Sequence, residues 1–256
     1  MTDFEDDSVA RLKDVAGNPA LQATATTFLQ ASVAAHYSYN FFWMGRPIIQ
    51  YPQDMVALQE IVWATRPDVI VETGIAHGGS LILSASLLAM LDLCDATETG
   101  EMLDPRAPKR SVVGVDIDIR AHNRTAIEAH PLSNRITMIE GSSIDDAIVA
   151  QVRAAVGDAA RVLVCLDSNH THDHVLAELR AYAPMVTPGS YCIVFDTLIE
   201  DMPADAYPDR PWGPGDNPKS AVHAWLPDNP EFEIDKQIDH KLLVSVAPDG
   251  FLHRRA

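Results

Sequence analysis

Short apolar runs alternate along the chain with longer segments in which apolar positions recur at helical spacing. The short runs predict five buried strands, at residues 69–73, 111–117, 136–140, 162–167 and 191–196. Segments with helical spacing precede and separate them, at residues 53–66, 78–94, 119–130, from about 143, and 171–183. Buried strands that alternate with helices are typical of a mostly parallel sheet covered on both faces. The pattern therefore predicts an α/β fold.

The pattern changes after the fifth predicted strand. Residues 197–220 contain five prolines and two glycines, and so long a loop in a compact domain usually covers or binds a ligand. We expect residues 200–218 to be mobile without substrate and to become ordered over a bound substrate. A short helix at 220–226 and an antiparallel strand pair at 232–238 and 242–246 are predicted to complete a seven-stranded sheet.

The chain is predicted to form one domain, residues 1–256, with a helical N-terminal extension over about residues 1–50 that ends in an aromatic cluster. The net charge of −17 disfavours nucleic acid and anionic membranes as partners. Apolar runs of about ten residues or fewer are too short for a membrane span. Without a secretory signal, and with three cysteines in no metal-binding pattern, we expect a cytoplasmic protein with free thiols.

An acidic residue stands at or near the end of every predicted parallel strand. These residues are Glu72, Asp116, Glu140, Asp167 and Asp196. Ligands of open parallel sheets bind beyond the carboxyl ends of the strands, so the acids are expected to face one site. The chemistry of that site would involve hydroxyl groups, amines or a metal ion.

The turn after the first parallel strand is rich in glycine and reads ETGIAHGGS over residues 72–80. It fits the nicotinamide-dinucleotide fingerprint only loosely, because Ala76 takes the place of the middle glycine. Glu72 would repel a pyrophosphate but suits a cofactor with a positive charge and an amino-acid end, which indicates S-adenosylmethionine. A strand–helix turn that only needs small residues is the alternative. The predicted cofactor-binding residues of this turn are Glu72, Thr73, Gly74, His77, Gly78, Gly79 and Ser80.

The next two strand ends extend this prediction. Asp116 is expected to accept hydrogen bonds from ribose hydroxyls, as acids at this position do in nucleotide-binding sheets. Ser142, in the turn after the third strand, is expected near the adenine, although a helix start from Ser143 to Asp146 would explain the same residues.

Residues 167–174 place one aspartate and three histidines at a strand end. His170 is the first candidate for a catalytic base and Asp167 the second, and Asp167 is also expected to contact the cofactor. Asp167 and Asp196 could hold Mg²⁺, which prefers oxygen ligands. A zinc site built from three histidines is a weaker alternative, because His172 and His174 are expected to face solvent at a helix start.

Several of these segments together resemble the cephalosporin hydroxylase / rhamnosyl O-methyltransferase family over residues 40–253. The segments are FWMGRPIIQ (42–50), VETGIAHGGS (71–80), GVDID (114–118), LDSNH (166–170), YCIVFDT (191–197) and GPG (213–215). The resemblance implies a Rossmann-like methyltransferase fold, S-adenosylmethionine binding, sugar hydroxyls as acceptors and, in several members, a divalent cation.

One residue departs from the family pattern, in which the fifth strand ends in two acids. Here Phe195 precedes Asp196, which leaves two alternatives. In the first, a cation is held by Asp167, Asp196 and water, with His170 or the substrate as a further ligand. In the second, the enzyme needs no metal ion. We expect an O-methyltransferase that acts on a sugar or glycosylated metabolite, including oligosaccharides, as a homo-oligomer. A non-catalytic cofactor-binding subunit that supports a partner tailoring enzyme is the alternative, and a nicotinamide oxidoreductase is a third, disfavoured hypothesis.

Overall fold

The computed structural model describes residues 3–256, beginning with two helices and a hairpin. Helices α1 (Asp3–Ala16) and α2 (Pro19–Ala34) form the first part of the N-terminal region, and a hairpin of β1 (Phe41–Trp43) and β2 (Arg46–Ile48) follows them. The two residues between these strands, Met44 and Gly45, have positive φ angles of 45° and 86°. Such angles favour a tight two-residue hairpin. The predicted helical extension over about residues 1–50 therefore does not continue as helix to its end.

The remaining elements alternate as the apolar pattern predicts. Helix α3 precedes five strands and their connecting helices, and two further short strands and helices close the chain. In chain order they are α3 (Pro52–Thr65), β3 (Val69–Thr73), α4 (Gly79–Thr99), β4 (Ser111–Asp116), α5 (Ala121–Glu128), β5 (Ile136–Glu140), α6 (Asp146–Val156), β6 (Val162–Leu166), α7 (His172–Tyr182), β7 (Tyr191–Val194), α8 (Pro218–Trp225), β8 (Phe232–Ile234), α9 (Lys236–Leu242) and β9 (Phe251–Arg254).

The large sheet has seven strands in the order β5-β4-β3-β6-β7-β9-β8. Strands β3 to β7 run parallel, and β9 is antiparallel to both of its neighbours. Side chains alternate between the faces, so that Ile70 joins one apolar cluster while Val69 and Val71 join the other. Helices α3, α4 and α5 cover the first face and α6, α7 and α8 the second. This arrangement confirms the predicted fold class.

The antiparallel pair at the C-terminus exists, but its second strand lies elsewhere than predicted. Strand β8 pairs with β9, Ile234 opposite Leu252, whereas residues 236–242 form α9. The Asp235 carboxylate accepts a hydrogen bond from the Gln237 amide at 3.0 Å, which caps that helix. The apolar run at 242–246 is buried because it packs beside α3, where the Val246 amide donates to Asp54 at 3.0 Å.

Helix α4 is long and apolar enough, by length and composition alone, to cross a membrane. Half of its most apolar stretch is buried inside the protein. The length of the apolar runs, from which no membrane span was expected, therefore does not exclude this helix as a candidate span. Its buried side chains, among them Leu81, Ile82 and Leu88, pack in the domain core. Packing against the sheet accounts for the apolar composition of the helix without a bilayer.

Charged pairs mark the amino ends of the central strands. Asp68 precedes β3 and pairs with Arg161, which precedes β6, at 3.0 Å. Arg110 and Arg135 precede β4 and β5, and both bind the buried Asp92 of α4 at 2.6 Å. Each partner of that trio is at most 5% exposed in its side chain. Arg110 also binds Asp95 at 2.8 Å, so losing Asp92 would leave Arg135 buried without a carboxylate partner. These pairs hold the end of the sheet opposite the acidic strand ends.

Candidate active site

Glu72 lies at the bottom of the site, at the end of β3. The residue is 3% exposed and accepts a hydrogen bond from the Ser80 hydroxyl at the start of α4. Burial raises the pKa of Glu72 to about 7 because a carboxylate loses its hydration there. A cationic group placed against this carboxyl would favour its charged form.

The turn after Glu72 approaches the end of β6 closely. Gly74 has a φ of 89°, and a Cβ at this position would overlap the backbone carbonyl of Asp167. Glycine is therefore required here twice, for its backbone angle and for its missing side chain. The close approach brings the β3 turn and Asp167 to one place, as the sequence predicts.

A clamp of polar side chains fixes the rest of this turn. The Arg46 guanidinium of β2 donates to the His77 carbonyl at 3.0 Å and to Asn123 at 3.0 Å. Asn123 in turn donates to the Ala76 carbonyl at 2.8 Å. In these contacts His77 contributes its backbone, and its side chain has no role in the clamp. The sequence predicted neither Arg46 nor Asn123, although Arg46 lies within the 42–50 motif.

Asp116 ends β4 and belongs to the same turn. Its carboxylate accepts hydrogen bonds from the amides of Ile75 at 2.8 Å, Ala76 at 3.1 Å and Asp118 at 3.1 Å. These contacts orient the carboxylate at the carboxyl edge of the sheet and tie the ends of β3 and β4 together. Ribose binding by Asp116 stays a prediction. Oδ2 already accepts two amides, whereas Oδ1 accepts only the Asp118 amide and has room for a further donor.

The end of β5 is arranged differently from the prediction. Ser142 follows Gly141, and helix α6 is capped by Asp145, which accepts from the Ala147 amide at 2.8 Å. The predicted helix start from Ser143 is therefore wrong. The Ser143 hydroxyl instead lies 3.0 Å from Nε2 of His174 on α7. Contact of Ser142 with adenine stays a prediction.

Asp167, His170 and Asp196 converge at the ends of β6 and β7. One potential ligand atom from each lies within 4.8 Å of the others. His170 Nε2 is 3.2 Å from Asp196 Oδ2, and Asp196 has a left-handed backbone with a φ of 55°. The two strands are neighbours in the sheet, which explains the convergence. The grouping fits both a histidine base and a small cation site.

The protonation of Asp167 depends on the charged groups around it. Burial, followed by the nearby carboxylates of Asp196 and Glu72, raises the pKa of Asp167 well above its usual value. Gln50 donates a long hydrogen bond of 3.5 Å to Asp167 Oδ2, while its own Oε1 is buried without a partner. The sequence included Gln50 in a motif but gave it no role. A cation near these oxygens would relieve the crowding of negative charge.

Phe195 lies just below Asp196 and is 7% exposed. With Asp54, Glu72, Asp167 and Gln50 it lines a small cavity of about 20 Å³, enough for about one water molecule. The end of β7 therefore offers a single carboxylate to the site. In the structure, as in the sequence, Phe195 stands where the family pattern has a second acid.

His172 and His174 are only partly exposed, and both contact other side chains, which the prediction of solvent-facing histidines did not include. His172 Nδ1 lies 2.8 Å from the Ser220 hydroxyl of α8. His174 contacts Ser143 and lies 3.2 Å from the Ser168 hydroxyl, which donates to the buried Glu178 at 2.7 Å. Both histidines thus bind other side chains instead of joining His170 in a zinc site.

The proline-rich segment is more anchored than a long free loop. Residues Thr197–Asp201 form a 3₁₀ helix, and Thr197, Leu198 and Ile199 are buried. Only the part after Met202 runs over the surface. Within it, the Trp212 ring contacts His170 edge to face, with centroids 4.8 Å apart. The segment therefore reaches the site as predicted, although its first turn is part of the core.

Comparison with known proteins identifies relatives of this chain. The family model described as Rhamnosyl O-methyltransferase/CmcI matches residues 35–255. Proteins named rhamnosyl O-methyltransferase from Mycobacterium tuberculosis and Mycobacterium leprae are 27% and 28% identical, over 85% and 83% of this chain and 82% of theirs.

Solved structures show the same fold. A CmcI structure described with Mg and SAM covers 85% of this chain and 78% of its own, at 18% identity and a TM-score of 0.56. An apo CmcI structure covers 85% of this chain and 77% of its own, at 20% identity and a TM-score of 0.54. The match over nearly the whole described domain, together with the strand order and the clustered strand ends, shows that this chain belongs to the rhamnosyl O-methyltransferase/CmcI family.

Proposed function

We propose that the protein is an S-adenosylmethionine-dependent O-methyltransferase that acts on a hydroxyl group of a sugar or glycosylated metabolite. The observation that carries the proposal is the meeting of Asp167, His170 and Asp196 beside the turn that holds Glu72 and Gly74. Family membership and the mycobacterial relatives named rhamnosyl O-methyltransferase support the sugar acceptor.

The residues at the ends of β3 and β4 fit the cofactor. Glu72 is a buried carboxyl that a positive charge would stabilise, and the unpartnered Oε1 of Gln50 lies in the same cavity lining. Asp116 stands at the next strand end, the position from which acids bind ribose hydroxyls. An acid at Glu72 disfavours a dinucleotide, whose pyrophosphate is negative.

The chemistry needs a nucleophilic oxygen and a base. Bound S-adenosylmethionine would supply an electrophilic methyl carbon on its sulfonium sulfur. The acceptor oxygen would bond to that carbon in line as the carbon–sulfur bond breaks, and S-adenosylhomocysteine would leave. His170 takes the hydroxyl proton in the proposed mechanism. Because Nε2 faces Asp196 Oδ2 at 3.2 Å, Nδ1 is the nitrogen left to accept that proton, and Asp196 stabilises the imidazolium that results.

A divalent cation fits the donor atoms at the same place. Asp167 and Asp196 would hold it through carboxylate oxygens, and the ion would orient the acceptor hydroxyl and lower its pKa. The CmcI structure described with Mg and SAM supports this assignment. Phe195 leaves two carboxylates, so binding of Mg²⁺ is expected to be weak without substrate.

The proposal includes a cytoplasmic setting and self-association. Free cysteines at Cys94, Cys165 and Cys192 agree with a reducing compartment. Exposed aromatic side chains on the N-terminal extension, Phe28 and Phe42, offer apolar surface for a second copy of the chain.

One observation favours a second candidate function. Phe195 removes an acid from the site, as expected of a cofactor-binding subunit that supports a partner tailoring enzyme without catalysing transfer itself. The intact Asp167, His170 and Asp196 argue for catalysis, so the two functions differ in whether methyl transfer occurs.

Titration calorimetry with S-adenosylmethionine, S-adenosylhomocysteine and NAD tests cofactor choice, and transfer of labelled methyl groups to rhamnose-bearing glycosides tests catalysis. We expect binding of the first two ligands, no binding of NAD, and labelled glycoside with a rate that falls by ~10²–10⁴ in His170→Ala. NAD binding alone would overturn the proposal. Cofactor binding without transfer to any glycoside would favour the non-catalytic subunit.

A further inference from the structure

The segment at residues 210–217, which we term the latch, touches the elements that carry His170 at two separate points. Trp212 contacts the imidazole itself, and Asp216 contacts the start of α7. We propose that Trp212 and Asp216 are positioning residues that set the orientation of His170. The inference rests on the proposed function, in which His170 is the base.

The first point is the aromatic contact. The planes of Trp212 and His170 are perpendicular, with ring centroids 4.8 Å apart, a preferred geometry for aromatic pairs. The guanidinium of Arg210 lies 5.3 Å from the Trp212 ring centre and restricts the indole in turn. Asp196 fixes Nε2 of His170, while Trp212 fixes the plane of the ring.

The second point is a helix cap supplied from a distance. Helix α7 begins at His172, two residues after His170, and its own N-cap residue Thr171 makes no side-chain capping bond. The His172 amide donates instead to Asp216 Oδ1 at 2.7 Å. A helix start needs an acceptor for its free amides. The direction in which the chain leaves His170 therefore depends on a residue of the latch.

The latch is itself held firmly enough to act in this way. Gly213 and Asp216 exchange two backbone hydrogen bonds of 3.0 Å, and Glu200 accepts from the Gly215 amide at 2.8 Å. Asn217 forms a capping box with Ser220 at the start of α8. The same Ser220 hydroxyl binds His172 Nδ1, so the C-terminal end of the latch is tied to Glu200 and, through Ser220, to α7.

A consequence for catalysis follows from these contacts. When the latch lies in place, the base is oriented and its indole neighbour excludes water from one side of the imidazole. A change that removes the latch contacts would take the indole from His170 and the cap from α7 together. The orientation of the base therefore depends on both contacts.

Nitrogen NMR of the imidazoles tests the proposal without turnover. Full-length protein labelled in its histidines is compared with Trp212→Leu and Asp216→Ala, and the His170 signals are assigned from a His170→Gln spectrum. We expect the His170 signals to move in Trp212→Leu, which removes the ring current, and to broaden in Asp216→Ala. Trp212→Phe and Asp216→Asn, which keep a ring and an acceptor oxygen, should restore most of the original spectrum.

The matched control is Asp209→Ala, at an exposed residue directly before the latch for which the described structure shows no hydrogen bond or ion pair. It should leave the His170 signals unchanged. Unmoved His170 signals in both Trp212→Leu and Asp216→Ala overturn the proposal, whether or not the protein transfers methyl groups. If the wild type transfers none, the proposed function fails and the spectra still decide the positioning role.

The kinetic arm separates positioning from general loss of structure. We expect kcat to fall by about tenfold or more in Trp212→Leu and Asp216→Ala, with the Kd for S-adenosylmethionine unchanged, because misplacing a catalytic group costs rate rather than cofactor affinity. An equal loss of kcat and cofactor affinity, with the signals of every histidine altered, would show a merely structural role and contradict the proposal. If Asp216→Ala does not fold, Trp212→Leu and Asp216→Asn decide.

Discussion

The close approach of Gly74 to Asp167 makes Gly74→Ala the most informative single substitution in the site. A Cβ at Gly74 would overlap the Asp167 carbonyl oxygen, whereas ordinary van der Waals contact begins at 3.4 Å. Relief therefore needs the ends of β3 and β6 to separate by more than about 1 Å, a displacement that can cost ~10²-fold in rate at a catalytic group. Asp167 is the residue displaced.

The backbone angle adds a separate cost that a control can subtract. Gly74 has a φ of 89°, and Gly189 has a φ of 80° with no atom near its Cβ position. An alanine in this region costs about 1–2 kcal/mol, and forced overlap in a packed site costs about a further 1–3 kcal/mol. Gly189→Ala should show the first cost alone, and Gly74→Ala should show both.

Urea unfolding and titration calorimetry with S-adenosylmethionine are the assays. We expect Gly74→Ala to lose more unfolding free energy than Gly189→Ala and to bind the cofactor more weakly, because Glu72, Gly74 and Asp167 share one place. Equal losses of stability in the two variants, with wild-type cofactor affinity in both, would refute the reasoning from overlap.

Three further predictions use buried charge. Burial raises the pKa values of Asp54 and Glu72 to about 7, so the folded protein keeps protons that the unfolded chain releases. The free energy of unfolding should therefore fall as the pH rises from about 4 to about 7, by up to about 4 kcal/mol for Asp54. A pH profile of stability that is equally steep in Asp54→Asn would contradict this. Phe195→Glu should lower stability by about 3 kcal/mol or more through an unpaired buried charge, seen as a lower Tm than in Phe195→Leu, while calorimetry reports whether the new carboxylate tightens Mg²⁺. Asp92→Ala should lower unfolding free energy by about 3–5 kcal/mol because the buried Arg135 loses its carboxylate partner and Arg110 keeps only Asp95, whereas the exposed Asp104→Ala should cost far less; similar urea midpoints for both would refute the assignment.

The parallel part of the sheet could be predicted from the sequence because its strands are buried on both faces. Such strands read as continuous apolar runs, so β3 and β6 are predicted at residues 69–73 and 162–167 and found at Val69–Thr73 and Val162–Leu166. Neighbouring parallel strands end at the same edge, which is why Asp167, His170 and Asp196 were expected together. The site therefore followed from the order of the elements.

Other parts depended on contacts between residues far apart in the chain. The run at 242–246 resembles a strand because it is apolar, but it is apolar to pack beside Asp54 and α3. His172 looks solvent-facing because its partners, Asp216 and Ser220, come more than 40 residues later. Gln50 has no local signal for a role beside Asp167. Tertiary partners, which no local pattern encodes, decide these positions.

The charged pairs lie at the amino ends of the strands, whereas the candidate active site lies at the carboxyl ends. Asp92, Arg110, Arg135 and the Asp68–Arg161 pair fasten the sheet at the edge that carries no chemistry. The acceptor-facing turns and the latch lie at the opposite edge, so changes there leave the fastened edge untouched. A lineage can then exchange loop residues, and with them the sugar that is recognised, while keeping the same scaffold. Diversity of acceptors within one fold is the expected evolutionary outcome.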